Sequence, residues 1–154
     1  MSPALSWSQF EEKSGPLAEL GRKLLYQFGV GLGMLATSRR DGGPRVHPVC
    51  PNIFEGALYV FVVGQSPKRA DLARDGRFAL HTFPAPADDE SFYCTGRALE
   101  IRDPELRARA TAAFVHHVKP DEALFELRLT SALHTTWLEP RTPQTRPVFQ
   151  RWRA

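Results

Sequence analysis

Two short turns in the first half of the sequence restrict the possible folds more than any other feature. Residues 39–44 contain an Asp-Gly step, and Glu55-Gly56 follows one strand-length later. Aspartate and glycine both tolerate the positive φ angles that tight hairpin turns require, so the Asp-Gly step is a strong hairpin signal. A parallel sheet needs a helix between successive strands, and neither turn leaves room for one. The sequence therefore predicts a mainly antiparallel β structure.

Six strands are predicted, at residues 32–38, 45–54, 57–63, 77–83, 91–102 and 125–137. The second strand contains Pro48 and Pro51, which cannot donate to a ladder, so we expect it at an edge of the sheet or bulged. The third strand is apolar throughout, which predicts burial on both faces. The sixth alternates apolar and polar residues, the period of a strand with one buried face.

Helical segments are predicted around these strands. Residues 7–28 have apolar residues at helical spacing, and Gly15-Pro16 divides them into two pieces. A short helix over residues 68–74 has Ser66 as its N-cap, and another begins after Asp103 and continues to His117. Beyond Pro140, a C-terminal arm over residues 140–154 is irregular until Val148. We expect one domain over residues 1–154, a small antiparallel barrel with helical decorations.

Composition excludes several classes of protein. The chain has 154 residues, 42% of them hydrophobic and 24% charged, with a net charge of +3; this is typical of a soluble globular domain. No apolar run reaches the roughly 18–20 residues that span a bilayer. The N-terminus has no basic region followed by an apolar one, so we predict a cytoplasmic protein without membrane association.

The C-terminal arm is basic, with Arg141, Arg146, Arg151 and Arg153 and no acidic residue. Such a segment suits nucleic acid, an anionic small ligand or an acidic patch on a partner subunit. Phe149 and Trp152 are its only aromatic residues, too few for a stacking platform. We therefore predict no nucleic-acid partner.

The segment with the most chemical content is Ser66-Pro67-Lys68-Arg69, where the apolar third strand leads into a helix. A helix N-terminus exposes unpaired N–H groups and a partial positive charge, which together favour an anion. A hydroxyl, an ammonium and a guanidinium add donors for a phosphate. The alternative is an ordinary capped helix whose basic side chains face water.

The second strand carries Arg45 and His47 at alternating positions, so both side chains point to one face. Its prolines leave backbone groups unpaired, which suits the edge of a flat heterocycle; a solvent-facing pair is the alternative. No metal site is predicted, because the histidine and cysteine spacings fit none. The sequence also contains neither a dinucleotide-binding glycine motif nor a P-loop.

The order of these motifs resembles the pyridoxamine 5′-phosphate oxidase-like, FMN-binding split-barrel superfamily over residues 30–138. The segment from Ser66 to Leu80 carries the most specific part of the likeness. The resemblance implies a six-stranded antiparallel split β-barrel and a homodimer with flavin at the interface. It places the FMN phosphate on Ser66, Lys68 and Arg69. It places the isoalloxazine ring beside the following residues of two strands: Arg45, Val46, His47, Pro48, Val49, Val62 and Val63. It also implies that Trp152 of the C-terminal arm closes the site of the partner subunit.

The resemblance further implies an FMN-dependent oxidoreductase that acts on a small molecule. The residues that hold the substrate phosphate in the authentic oxidase have no match here, so we do not expect that activity. A deazaflavin (F420)-dependent reductase is one alternative, and a non-enzymatic flavin- or haem-binding module is another. A haem protein would use His81, His116, His117 or His134 as its ligand. We assign no catalytic residue; His47 is the nearest candidate for a test.

Overall fold

The fold, taken from a computed structural model, is described for residues 3–154. The elements in chain order are the helices and strands α1 (Trp7–Lys13), α2 (Gly15–Leu25), β1 (Gly33–Ser38), β2 (Pro44–Val49), β3 (Asn52–Phe54), β4 (Ala57–Val62), α3 (Pro67–Arg74), β5 (Arg77–His81), β6 (Ser91–Ile101), α4 (Pro104–Ala113), β7 (Ala123–Leu138) and β8 (Arg146–Arg153). No helix within this part of the chain is long and apolar enough to cross a membrane.

Every strand pairing is antiparallel, as the two short turns predict. The strands lie in the order β2-β1-β5-β6-β7-β4-β3, and β8 pairs with β7 outside this path. The predicted number of six strands is wrong, because the sheet has eight. The second predicted strand divides into β2 and β3 at Cys50 and Pro51. Pro51 has no N–H to continue a ladder, which explains the break.

The eighth strand lies in the C-terminal arm, which was expected to be irregular until Val148; the strand begins two residues earlier, at Arg146. β8 pairs with β7 over eight positions, from Ser131 opposite Arg153 to Leu138 opposite Arg146. Pro147 is tolerated because β8 pairs on one side only. The helix expected to reach His117 instead ends at Ala113, so both His116 and His117 lie in the following loop.

A capping box and a Gly-Pro step set the limits of the two N-terminal helices. Ser6 and Gln9 form a reciprocal capping box at the start of α1: the Ser6 hydroxyl accepts from the Gln9 N–H, and the Gln9 side chain accepts from the Ser6 N–H. The predicted division at Gly15-Pro16 is confirmed, since α1 ends at Lys13 and α2 begins at Gly15. Trp7 and Phe10 of α1 are completely buried against the sheet.

The main core lies between these helices and the inner faces of β1, β4, β5, β6 and β7. Strand β4 is buried at all six positions, as its apolar run predicts, whereas Val63, the last residue of the predicted strand, lies beyond β4 and is exposed. Strand β2 lies at one end of the sheet path, as its prolines predict. Pairing of β2 with β1 sets Arg45 opposite Thr37 and His47 opposite Leu35, so these two side chains share the face that carries the core.

Candidate functional site

The connection from β4 to α3 is held tightly at both ends. A Cβ at Gly64 would lie 2.1 Å from the carbonyl oxygen of Asp121, so a side chain there would force the backbone apart. Ser66 then caps α3: its hydroxyl donates to the Val63 carbonyl at 2.7 Å and accepts from the Arg69 N–H at 3.3 Å. The first turn of α3 is therefore fixed in position before any ligand is considered.

Arg69 lies in this first turn but points toward β6. Its Nη2 donates to Oε1 of Glu100 at 2.9 Å, while its Nε is buried without a partner among the described residues. The hydrogen bond from Arg69 is the main reason that the pKa of Glu100 lies below its ordinary value. One donor of Arg69 is thus already committed, and a second remains unsatisfied.

Lys68 differs from Arg69 in having no acidic neighbour. Its side chain is half-buried, and no carboxylate of residues 3–154 lies within ion-pair distance of its ammonium. Burial lowers the pKa of Lys68, and no nearby negative charge opposes that shift. The protein thus holds a partly desolvated cation beside a helix N-terminus.

Arg45 joins β2 to the same helix through Asp71. The Arg45 Nε lies 2.8 Å from the Asp71 carboxylate, and the Thr37 hydroxyl donates to the same oxygen at 2.8 Å. Burial by itself raises the pKa of Asp71, but these hydrogen bonds outweigh it and hold the pKa below its ordinary value. Asp71 is therefore a buried carboxylate that orients Arg45.

A cleft of about 850 Å³ lies between α3 and the β1–β2 turn. Its lining contains four arginines and two aspartates: Arg39, Arg40, Arg45, Arg74, Asp41 and Asp71. Arg39 pairs with Asp41, and both Arg45 and Arg74 pair with Asp71. Counting these side chains as charged gives an excess of two positive charges, which suits an anionic group.

Sequence reasoning missed Arg39, Arg40 and Arg74 in this cleft. The two arginines of the turn were treated only as turn residues, and Arg74 only as part of a helix. The available signal was the run Arg39-Arg40 immediately before a hairpin strand that itself carries Arg45. Their proximity to α3 depends on long-range packing, which the local sequence does not specify.

The structure separates the other predicted site residues into two groups. Val46 and Val63 expose about half of their side-chain surface, at 54% and 48%. Pro48 is also exposed and His47 is half-buried. Val49 and Val62 are buried in the core, so their side chains are not available to a ligand. The ring position assigned to this segment stays a prediction.

Trp152 lies apart from this cleft in its own chain. It packs against the main core, and the centroid of its ring is 4.8 Å from that of Phe10. Its strand β8 pairs with β7 of the same chain. The role assigned to Trp152 in a partner subunit also stays a prediction.

The histidines form no shared site. Residues 3–154 contain no group of three or more histidine, cysteine, aspartate or glutamate side chains that could hold a metal ion. His134 is buried and lies 2.7 Å from Oε1 of Glu90, while Nδ1 of His81 lies 2.5 Å from the Thr82 carbonyl oxygen. His116 and His117 are exposed in the loop after α4.

Comparison with known proteins identifies the family. The sequence model named pyridoxamine 5′-phosphate oxidase matches residues 27–136, well over half of the chain. The chain belongs to the pyridoxamine 5′-phosphate oxidase family. The match includes β1 to β6, α3, the arginine-lined cleft and nearly all of β7. No curated protein sequence matched the chain significantly.

Solved structures of other proteins have the same split-barrel fold as this chain. General stress protein 26 from Bacillus anthracis str. Sterne aligns with a TM-score of 0.60 and 18% identity, over 87% of this chain and 97% of that one. HutZ, a haem storage protein from Vibrio cholerae, aligns with a TM-score of 0.58 and 15% identity, over 75% and 89%. A structure named F420 reductase aligns with a TM-score of 0.53 and 18% identity, over 66% and 87%. At these identities the likeness concerns the fold alone.

Proposed function

We propose that the protein binds FMN and is an oxidoreductase acting on a small molecule as a homodimer. Family membership and the arginine-lined cleft support this proposal. The observation that carries it is Lys68, a half-buried ammonium beside a helix N-terminus with no carboxylate partner among the described residues. Keeping such a cation partly out of water is unfavourable unless an anion compensates.

The residues present fit a phosphate at this position. Lys68 supplies a free charge, and its backbone N–H adds a donor at the start of α3, where Pro67 has no N–H and the N–H of Arg69 is bonded to Ser66. The unpartnered Nε of Arg69 is a further donor nearby in sequence. Arg45 and Arg40 extend the positive surface into the cleft. The Ser66 hydroxyl already donates to the Val63 carbonyl, so we assign Ser66 the structural role of holding the turn between β4 and α3.

The ring of the flavin would lie along the edge strand. Val46 and Val63 offer exposed apolar surface, and β2 pairs on one side only, which leaves backbone groups free for hydrogen bonds. When bound, FMN would supply two-electron redox chemistry that no side chain of this chain provides. The protein would bind the cofactor and orient it, and the half-buried His47 is the side chain to test for proton transfer.

An F420-dependent reductase is the second candidate. The observation that favours it is the extent of the positive cleft, because Arg39 and Arg40 continue the basic lining beyond Arg45. The acidic tail of F420 needs such an extended surface, whereas the single phosphate of FMN does not. A haem-binding role lacks a comparable observation: His134 is bonded to Glu90, and the other candidate ligands, His81, His116 and His117, are exposed side chains.

The decisive experiment adds FMN, F420 and haemin separately to the cofactor-free protein and measures binding by absorbance and fluorescence. We expect FMN to bind, and Lys68→Ala to weaken it about 10- to 150-fold, the loss of one charged hydrogen bond of about 1.5–3 kcal/mol. Lys119→Ala, which removes an exposed ammonium elsewhere, should leave the affinity unchanged.

Tight F420 binding without FMN binding would replace the first candidate by the second. A haem absorption band without binding of either flavin would overturn both. If Lys68→Ala binds FMN as well as the wild type, the phosphate lies elsewhere. Sedimentation analysis should give twice the mass of one chain; a monomer that still binds FMN would remove only the dimer from the proposal.

A further inference from the structure

A second concave site lies away from the arginine-lined cleft. It has a volume of about 180 Å³ and is formed where three connections meet. These are the α2–β1 link, the β2–β3 link and the loop after α4, represented by Gly29–Gly31, Cys50–Asn52 and Phe114–His116. Of the residues in its lining, only His116 enters an assignment above, as a candidate haem ligand.

The lining of this pocket contains no lysine, arginine, aspartate or glutamate. Two polar side chains of the lining, Tyr26 and Asn52, already have hydrogen-bond partners. The Tyr26 hydroxyl donates to the Asn52 side-chain oxygen at 2.6 Å, and the Asn52 amide donates to the Ala113 carbonyl at 3.0 Å. The exposed ring of His116 is a further polar group of the lining. No acidic side chain, lysine or arginine is present to compensate for the hydration that a charged ligand would lose, so the pocket favours an uncharged molecule.

Aromatic rings form the walls of the pocket. Tyr26, Phe114 and His116 contribute rings, and those of Phe114 and His116 meet edge to face with centroids 5.2 Å apart. Aromatic ligands pack well in such surroundings because edge-to-face contacts match the charge distribution of the rings.

The absence of a side chain at Gly31 allows the α2–β1 link to lie against the β2–β3 link and complete the wall of the pocket. A Cβ at Gly31 would lie 1.7 Å from the Pro51 carbonyl oxygen, so the two connections approach each other as closely as backbones can. An apolar cavity of about 150 Å³ is large enough to hold benzene. The size therefore fits one six-membered ring.

We propose that this pocket binds a small, uncharged, single-ring aromatic molecule. The pocket shares no lining residue with the arginine-lined cleft, although Cys50 directly follows Val49, which is assigned to the flavin ring. A cofactor-free preparation therefore tests the pocket without a flavin beside it, and its failure would leave the proposed phosphate site untouched.

Cys50 provides a direct probe of occupancy. It lines the pocket and is exposed, whereas the only other cysteine, Cys94, is completely buried in the core. Burial also raises the pKa of Cys94 to about 12, so its thiol stays protonated and unreactive at pH 8. Reaction of the folded protein with a disulfide reagent such as Ellman's reagent thus reports Cys50 alone.

The test measures the rate of Cys50 labelling with phenol, cyclohexanol and benzoate as probes of similar size. At ten times its dissociation constant, phenol should slow labelling about tenfold, because only the unoccupied fraction reacts. Cyclohexanol, which lacks the aromatic ring, and benzoate, which carries a charge, should have much weaker effects. Equal effects of all three, or no effect of phenol, would overturn the proposal.

Two variants localise the effect. Val30→Phe fills the pocket and should abolish protection by phenol, while Val148→Phe changes an equally exposed valine on β8 and should preserve it; the exposures are 38% and 42%. Thermal unfolding checks that both variants fold. If labelling of the wild type without phenol instead slows as protein concentration rises, a second copy covers the pocket and the proposal is wrong.

Discussion

The Nε of Arg45 lies 2.8 Å from a carboxylate oxygen of Asp71, and this ion pair joins the edge strand β2 to helix α3. Asp71 is 4% exposed and also accepts a hydrogen bond from Thr37. The pair fixes the wall of the arginine-lined cleft, so the position of Arg45 depends on a residue that no ligand needs to touch.

We predict that Asp71→Asn lowers the free energy of unfolding at pH 7 by about 2 kcal/mol, because a charged hydrogen bond is lost in a mostly buried place. Since the pKa of Asp71 is depressed, its contribution exists above the unfolded-state pKa and disappears as pH falls through the folded-state pKa. The difference between wild type and variant should therefore shrink below about pH 4.

Urea unfolding at several pH values measures this difference. Asp121→Asn, which changes an exposed aspartate, serves as the control and should show no comparable loss. A wild-type advantage that stays constant from pH 7 to pH 2 would contradict the assignment of a charged Asp71.

Arg69 and Lys68 are adjacent but should respond differently to removal. Arg69→Ala leaves the mostly buried Glu100 without its main partner, so we expect a loss of about 1–2 kcal/mol in stability even without any cofactor. Arg102→Ala removes the other contact to Glu100, from a side chain that is 82% exposed. That change should cost no more than about 0.5 kcal/mol.

Thermal or urea unfolding of cofactor-free protein gives both values. Equal losses of unfolding free energy in the two variants would mean that the buried contact from Arg69 stabilises the protein no more than the exposed contact from Arg102. If Arg69→Ala leaves stability unchanged and weakens only FMN binding, then Arg69 contributes to binding the phosphate, and its ion pair with Glu100 does not stabilise the fold.

Arg40 should contribute to anion binding as an exposed charge. It lines the cleft and makes no ion pair within residues 3–154. We expect Arg40→Ala to weaken FMN binding about two- to fivefold, the usual range for a solvent-screened contact. The effect should fade as salt is raised, because screening acts most strongly on exposed charges.

Fluorescence titration of FMN at low and high salt measures this contribution. Arg146→Ala removes an equally exposed arginine from β8 and should leave the affinity unchanged. If both variants weaken binding alike, general attraction by the basic surface explains the result, and Arg40 has no specific place in the cleft.

The parts of the fold that local chemistry specifies were predictable from the sequence. Ser66 and Asp103 cap helices where expected, and β4 is buried throughout. The edge position of β2 followed from Pro48 and Pro51, because proline removes a ladder donor. These features depend on a few neighbouring residues only.

Features that depend on distant packing were not predictable in this way. Three prolines after Leu138 suggested an arm that is irregular until Val148 and adds no strand to the sheet, yet the long strand β7 offers a partner along which β8 forms from Arg146 onward. For the same reason Arg39 and Arg40 were not expected beside α3. The Arg45–Asp71 pair joins residues 26 positions apart, and no local pattern encodes that contact.

Trp152 gives a prediction that separates its structural role from its expected ligand role. Its ring packs on Phe10, so Trp152→Ala should lower the stability of cofactor-free protein by about 2 kcal/mol, less than for a fully buried tryptophan. Phe149→Ala, on the exposed face of the same strand, should cost less than about 1 kcal/mol.

Trp152→Phe keeps an aromatic ring against Phe10 and should restore most of the stability. If this variant is as stable as the wild type but binds FMN weakly, the indole reaches the flavin of a partner subunit in addition to packing in its own chain. If Trp152→Ala leaves stability unchanged, the contact with Phe10 contributes little. In that case β8 owes its position to the ladder it forms with β7.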